Sequence, residues 1–265
     1  MVLSACVQGV GLLGPGLADW DAAAAVLAGR AAWTPAATVL PPPQLLPPAE
    51  RRRTGVIVKL TLAAGLEATR RAGVNAAQLA AVFSSSGGDG VNCHEICQVL
   101  ASGDRQLSPT RFHNSVHNAA SGYWGIATGA TPAVNALCGY DASFGAGLLE
   151  ALTQVAIERI PVLLIAYDCS YPEPIRAARP IPDAFAVALV LTPAQQPASL
   201  ARIEAHLADA PADTLADPAL EGLRRAIPAA RSLPLLERLA AGRHGAVLLD
   251  YLPHARLRVL VSACP

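Results

Sequence analysis

The sequence carries no net charge: twenty basic and twenty acidic residues cancel over 265 positions. No basic field is on offer to a nucleic-acid backbone or an anionic membrane, so neither is an expected partner. A positively charged leader is also missing. The opening MVLSACVQGVGLLG is apolar, but the first basic residue is Arg30, and a secretory signal is not expected. No uninterrupted apolar run approaches the roughly 20 residues that a membrane helix requires. The six cysteines have no regular spacing, and a chain this long can build a core without staples. They read as reduced thiols, which implies the cytoplasm. The glycine loop Gly87-Gly88-Asp89-Gly90 is not followed by Gly-Lys-Ser/Thr and does not match the dinucleotide fingerprint. Close backbone packing is the expected reason for its glycines, and no cofactor is implied.

What is present is apolar material: 52% of residues are hydrophobic, enough for a sizeable core and too much for disorder. The stretch Ala133–Ala151, AVNALCGYDASFGAGLLEA, organises the rest. It reads as a buried strand from Ala133 to Cys138, a tight turn from Gly139 to Ala142, and a helix of small residues from Ser143. A strand turning sharply into a helix lifts its turn to the carboxyl edge of a sheet, where α/β folds place chemistry.

Along the chain, Leu3–Val10 reads as a strand broken by Gly11, Gly14, Pro15 and Gly16. Asp19 is a candidate N-cap for a short helix, Trp20–Leu27. Six prolines make Thr34–Pro48 an exposed connector. Glu50-Arg51-Arg52-Arg53 reads as a solvated helix start or tail, and alternatively as a patch for an acidic partner such as a carrier protein. Val56–Ala72 has one apolar face (Ile57, Leu60, Ala64, Ala68) and is closed by Gly73. Strands follow at Leu79–Ser86, Pro161–Tyr167 and Ala184–Leu191, with a helix to about Leu100 and another over Ser115–Gly129. The second helix has small residues at Ala119, Ala120, Gly122 and Gly125, which suits a close interface. Beyond a linker at Ala194–Pro197 come a strand (Arg202–Leu207), two helices (Asp217–Ala226, Leu235–Ala241), and a hairpin. Its strands are Ala246–Tyr251 and Arg256–Ser262.

Candidate chemistry is sparse. Cys138 stands before a helix start, which lowers a thiol's pKa, yet no histidine lies near it in sequence; inert packing is the bland reading. Ser143 sits in Asp141-Ala142-Ser143-Phe144-Gly145, one glycine short of the nucleophile elbow, and Asp141 would crowd the turn. A cap by Ser143 or Asp141 is expected instead. His113 and His117 are four apart, as are Cys93 and Cys97 with His94 between. Neither pair has a usual zinc spacing, so no metal is expected.

Several of these segments, in order, resemble the N-terminal half of β-ketoacyl synthases, the condensing enzymes of fatty-acid and polyketide synthesis. They are Val7-Gln8-Gly9-Val10-Gly11 with Leu27-Ala28-Gly29, Phe83–Gly90, Leu107-Ser108-Pro109 through Asn118, Gly122 and Gly129, and Pro161–Tyr167. The resemblance implies a thiolase-like half fold over residues 1–193, a mixed five-stranded α/β layer with helices on both faces. Residues 194–265 would form a small α+β tail. The family's nucleophilic cysteine would fall between Tyr140 and Ser143, where none is encoded; Cys138 lies a few residues early. The family's two C-terminal histidines have no counterpart, since His206, His244 and His254 stand in no matching motif.

The pattern is similar to truncated synthase-like proteins found beside true synthases in clusters for aryl polyene and xanthomonadin-type pigments. The resemblance then implies a chain-length-factor subunit without its own nucleophile, paired with an active ketosynthase and through it with an acyl carrier protein. The Ser115–Gly129 helix and the Ala133–Cys138 strand would form the interface. Ser86, Val91, Asn92, Arg111 and Phe112 would close the acyl tunnel, with His113, His117 and Asn118 beside them. The alternatives are a self-sufficient acyltransferase using Cys138, a hydrolase using Ser143, and a remnant with a purely structural role.

Overall fold

The structure, a computed structural model, describes residues 2–264. In chain order its elements are β1 (Leu3–Leu13), α1 (Trp20–Leu27), α2 (Pro48–Arg51), α3 (Val56–Ala72), β2 (Ala80–Ser84), α4 (Gly90–Ala101), α5 (Pro109–His113), α6 (Ala119–Thr128), β3 (Val134–Leu137) and α7 (Ser143–Glu158). There follow β4 (Val162–Asp168), α8 (Ile175–Ala178), β5 (Phe185–Thr192), β6 (Ala201–Ala208), α9 (Pro218–Ala226), α10 (Leu233–Ala240), β7 (Gly245–Leu252) and β8 (Ala255–Ser262).

Among the described residues all eight strands form one mixed sheet in the order β3-β2-β4-β5-β1-β6-β8-β7. The first five are the expected layer. The count of five is corrected to eight, because β6 pairs antiparallel with the free edge of β1 and carries the β7–β8 hairpin with it. An edge strand leaves backbone donors and acceptors open, and β6 satisfies those of β1. Two cores flank the sheet. One gathers residues of α1, α7, α9 and α10, the other residues of α3 and α6. β4 and β5 are buried along their whole length, as continuously apolar strands covered on both faces must be.

Three local expectations change. β1 does not stop at Gly11 but runs to Leu13. A Cβ at Gly9 or Gly11 would strike the backbone of α3, at the carbonyl oxygens of Ala68 and Ala64. These glycines therefore serve close helix–strand contact, and the break comes at the Gly14–Leu17 turn. The proline-rich connector is tied down: Leu46 is buried, and Thr38 donates its backbone N–H to Asp183 (2.9 Å) and its hydroxyl to the Ala184 carbonyl (2.7 Å). The helix expected over Ser115–Gly129 begins only at Ala119. Asn114 holds the preceding turn, donating to the Arg53 carbonyl (3.1 Å) and accepting from the Tyr123 hydroxyl (3.2 Å).

Candidate functional site

Strands β3, β2 and β4 are mutually parallel neighbours, so their carboxyl ends open at one sheet edge. There the chain places Ser84-Ser85-Ser86, Cys138-Gly139 and Asp168. The Asp168 carboxylate is 2% exposed and ties the edge together. Its Oδ1 accepts from the Ser86 backbone N–H (2.9 Å), the Ser86 hydroxyl (2.7 Å) and the Ser85 hydroxyl (3.3 Å), and its Oδ2 from the Ala229 N–H (2.9 Å). Burial pushes the Asp168 carboxyl up to about 6, against the pull of those hydrogen bonds. The glycine loop passes beneath Tyr171: a Cβ at Gly87 or Gly90 would occupy the place of its ring or hydroxyl. Asp89 then caps α4 through the Asn92 N–H (3.0 Å), its carboxyl pushed up by burial.

The elbow between β3 and α7 is built from Gly139 to Ser143. Tyr140 takes the left-handed conformation (φ 54°) and is 63% exposed. Holding a non-glycine residue there costs on the order of 1 kcal/mol. Ser143 is 1% exposed; its hydroxyl donates to the Tyr140 carbonyl (2.7 Å) and accepts from the Gly139 N–H (3.1 Å). The expected cap is therefore corrected. Ser143 is the first residue of α7 and braces the turn, while the N-cap, Ala142, makes no side-chain cap bond.

Asp141 does not cap either. Its carboxylate meets Arg179 (2.5 Å) and Arg231 (3.2 Å). Arg231 also reaches Asp250 (3.5 Å), which pairs with Arg224 (2.9 Å), which pairs with Glu221 (2.7 Å). The Arg224 guanidinium holds Glu221 below the usual carboxylate range. Arg179 lies over the Tyr140 ring, 4.0 Å from its centroid. A run of ion pairs thus fastens the elbow to the loop after β4 and to the C-terminal segment.

Cys138 is exposed, and its thiol donates to the Ser86 carbonyl (3.2 Å). Among the described residues no imidazole bonds it. The histidines are dispersed: His113 packs edge-on against Tyr123 (6.5 Å between ring centroids), the His117 ring would meet a Cβ placed at Gly88, and His206 bonds Glu204 (2.7 Å). Among the described residues no three His, Cys, Asp or Glu side chains gather as metal ligands.

Of the residues proposed for the tunnel, Val91, Asn92 and Arg111 come together on a cavity of about 370 Å³ that Arg52 and Arg53 also line. The Asn92 amide donates to the Arg111 carbonyl (2.9 Å), and Arg111 pairs with Glu95. Phe112 is 67% exposed, and Asn118 is exposed where α6 begins. Ser86 stands apart from them, its hydroxyl committed to Asp168. Beside these residues the sheet ends in β3, which among the described residues pairs only with β2. Val134 on β3 and Ile126 on α6 are exposed, and a Cβ at Gly122 or Gly129 would meet nothing.

Sequence reasoning missed Asp168, Tyr171, Arg179, Arg224, Arg231 and Asp250. Asp168 had a readable signal, a carboxylate closing an otherwise apolar strand. The arginines had none, since they lie in segments remote from the elbow. Among the described residues no helix is long and apolar enough to cross a membrane.

The model of the β-ketoacyl synthase N-terminal domain matches residues 20–246. No curated protein matches the chain in sequence. The fold is similar to a chain of the complex between the ketosynthase ApeO and its chain length factor ApeC from Xenorhabdus doucetiae. The TM-score is 0.74 at 22% identity, with 97% of this chain and 99% of that one covered. It is similar also to the ishigamide ketosynthase/chain length factor (TM-score 0.72, 13% identity, 99% and 100% covered). Against a β-ketoacyl synthase from Burkholderia phymatum STM815 the TM-score is 0.59 at 14% identity, covering 91% of this chain and 71% of that one. The architecture is the thiolase-like ketosynthase fold, and, with the domain model matching most of its length, the chain belongs to the β-ketoacyl synthase N-terminal domain family.

Proposed function

We propose that the chain is a non-catalytic, ketosynthase-like subunit that pairs with an active β-ketoacyl-carrier-protein synthase and shapes its acyl tunnel, as a chain length factor does. One observation carries this reading. At the turn where the family keeps its cysteine, this chain holds Tyr140, braced by Ser143 and clamped through Asp141 to two arginines. A nucleophile needs a base within hydrogen-bond reach; the nearby thiol of Cys138 bonds only a carbonyl, and the Ser143 hydroxyl is buried and spent on the turn. These facts weigh against the acyltransferase and hydrolase alternatives.

The open edge of β3 and the uncovered face of α6 support pairing, because an unpaired strand edge is a template for another chain. So does length: the alignments to the two ketosynthase/chain-length-factor structures cover nearly all of both chains, while that to the Burkholderia synthase covers 71% of it. In this reading residues 1–193 are the ketosynthase-like unit and residues 194–265 its extension. Phe112, Val91, Asn92 and Arg111 close the far end of the tunnel, flanked by Ser86, His113, His117 and Asn118. The acyl carrier protein comes through the partner, the product is a polyketide or fatty acyl chain of the aryl polyene type, and the free cysteines fit work in the cytoplasm.

Co-expression with a neighbouring ketosynthase tests it. The pair is expected to co-purify as a heterodimer, with the isolated chain less soluble. A stoichiometric acyl adduct on Cys138 or Ser143 of the isolated chain, seen by mass spectrometry after exposure to an acyl thioester, would refute it.

A further inference from the structure

The ion pairs at the elbow leave one positive charge over. Four guanidiniums gather there, Arg179, Arg224, Arg231 and Arg256, with three carboxylates, Asp141, Glu221 and Asp250. Arg179 holds Asp141 at 2.5 Å, and Arg224 holds Asp250 at 2.9 Å and Glu221 at 2.7 Å. Arg231 is left the longer contacts, 3.2 Å to Asp141 and 3.5 Å to Asp250. Arg256 has no carboxylate partner among the described residues. One terminal nitrogen serves the hairpin carbonyls of Leu252 (2.7 Å), Ala255 (3.3 Å) and Pro253 (3.5 Å). The Nε atoms of Arg179, Arg231 and Arg256 are buried without a hydrogen-bond partner.

Arg231 and Arg256 wall one cavity of about 360 Å³, together with Tyr140, Tyr251, Leu252 and two carboxylates, Asp141 and Asp250, that Arg179 and Arg224 already hold. That volume lies in the range of small-molecule sites. Half-buried cations short of counter-charge are costly, and a guanidinium fork matches the two oxygens of a carboxylate or phosphate. The remaining wall is aromatic and aliphatic. We propose that this cavity binds a small organic anion. Its carboxylate or phosphate oxygens sit on Arg231 and Arg256, and its apolar body lies against Tyr140, Tyr251 and Leu252. Every group named for the site comes from this chain.

Isothermal titration of the full chain, or of its purified complex, with benzoate and with inorganic phosphate tests the proposal. Saturable benzoate binding at one site per chain, tighter than phosphate, is expected. Arg256→Gln should weaken it by about tenfold or more, since a charge-assisted pair is lost. Arg258→Gln, exposed on the same strand and outside the cavity, should leave it unchanged. Should Arg256→Gln disturb the hairpin, Arg256→Lys keeps the charge and loses the fork, and it must still weaken benzoate. No saturable binding of either probe to the folded wild type would overturn the proposal. So would phosphate binding more tightly than benzoate, or undiminished benzoate binding by folded Arg256→Gln or Arg256→Lys.

Discussion

Replacing Asp168 by Asn should reshape the pH dependence of stability in a way that can be worked out from the fold. The carboxyl is buried and its pKa rises from the ordinary 3.8 to about 6. Two units at 1.36 kcal/mol each amount to about 3 kcal/mol. Between about pH 4 and pH 6 the unfolded chain has released this proton while the folded chain still holds it. Unfolding therefore releases a proton, and stability falls as pH rises through that window, levelling off above about 6.5. Asn cannot titrate, so the variant lacks this contribution.

The lost hydrogen bonds cost the variant about 1–3 kcal/mol, because an amide NH2 must face either Ser86 or the Ala229 N–H. That cost is nearly independent of pH. The other titrating groups are common to both proteins and cancel in the difference. Urea unfolding of both proteins from pH 4 to pH 8 is the assay. Relative to wild type, Asp168→Asn should gain about 3 kcal/mol between pH 4 and pH 6.5 and nothing further above it. A difference that stays flat over that range, or changes with the opposite sign, would show that the carboxylate is not held against its ionisation.

Other perturbations follow from the same structure. Gly11→Ala puts a methyl group into the Ala64 carbonyl of α3 and should cost about 1–3 kcal/mol, read as a lowered Tm. Ser143→Ala strips the half-buried Gly139 N–H of its acceptor and should cost about 1 kcal/mol, while acyl-thioester mass spectrometry finds no adduct on the elbow of wild type or variant. Val134→Lys on the open edge of β3 should abolish co-purification with the ketosynthase and leave the circular-dichroism melt in place. Phe112→Ala should change product length in a reconstituted pair with turnover retained; unchanged length would remove Phe112 from the tunnel.

Much of the scaffold could be read without coordinates because its signals are local. Asp19 caps α1 as its position implied, accepting from the Ala22 N–H. Gly73 ends α3 in the left-handed conformation, and the apolar runs Pro161–Tyr167 and Ala184–Leu191 supply the central strands β4 and β5. Gly11 misled for the opposite reason. Within a strand, a glycine that breaks the backbone and one that admits a helix look the same, and only α3 decides between them. Ser143 misled similarly: a serine at a helix start suits a cap, but the turn before it claims the hydroxyl first.

By itself the sequence determined the alternation of strands and helices, the caps and turns, and the absence of a cysteine at the elbow. Those depend on residues within a few positions of one another, where helix and strand periodicity operate. Tertiary structure alone decided that the last strands extend the same sheet, that Asp168 gathers Ser85, Ser86 and Ala229, and that Asp141 meets arginines 38 and 90 residues away. Ion pairs and buried hydrogen bonds form between groups that folding brings within about 3 Å. No periodicity in the chain records which distant residues those are.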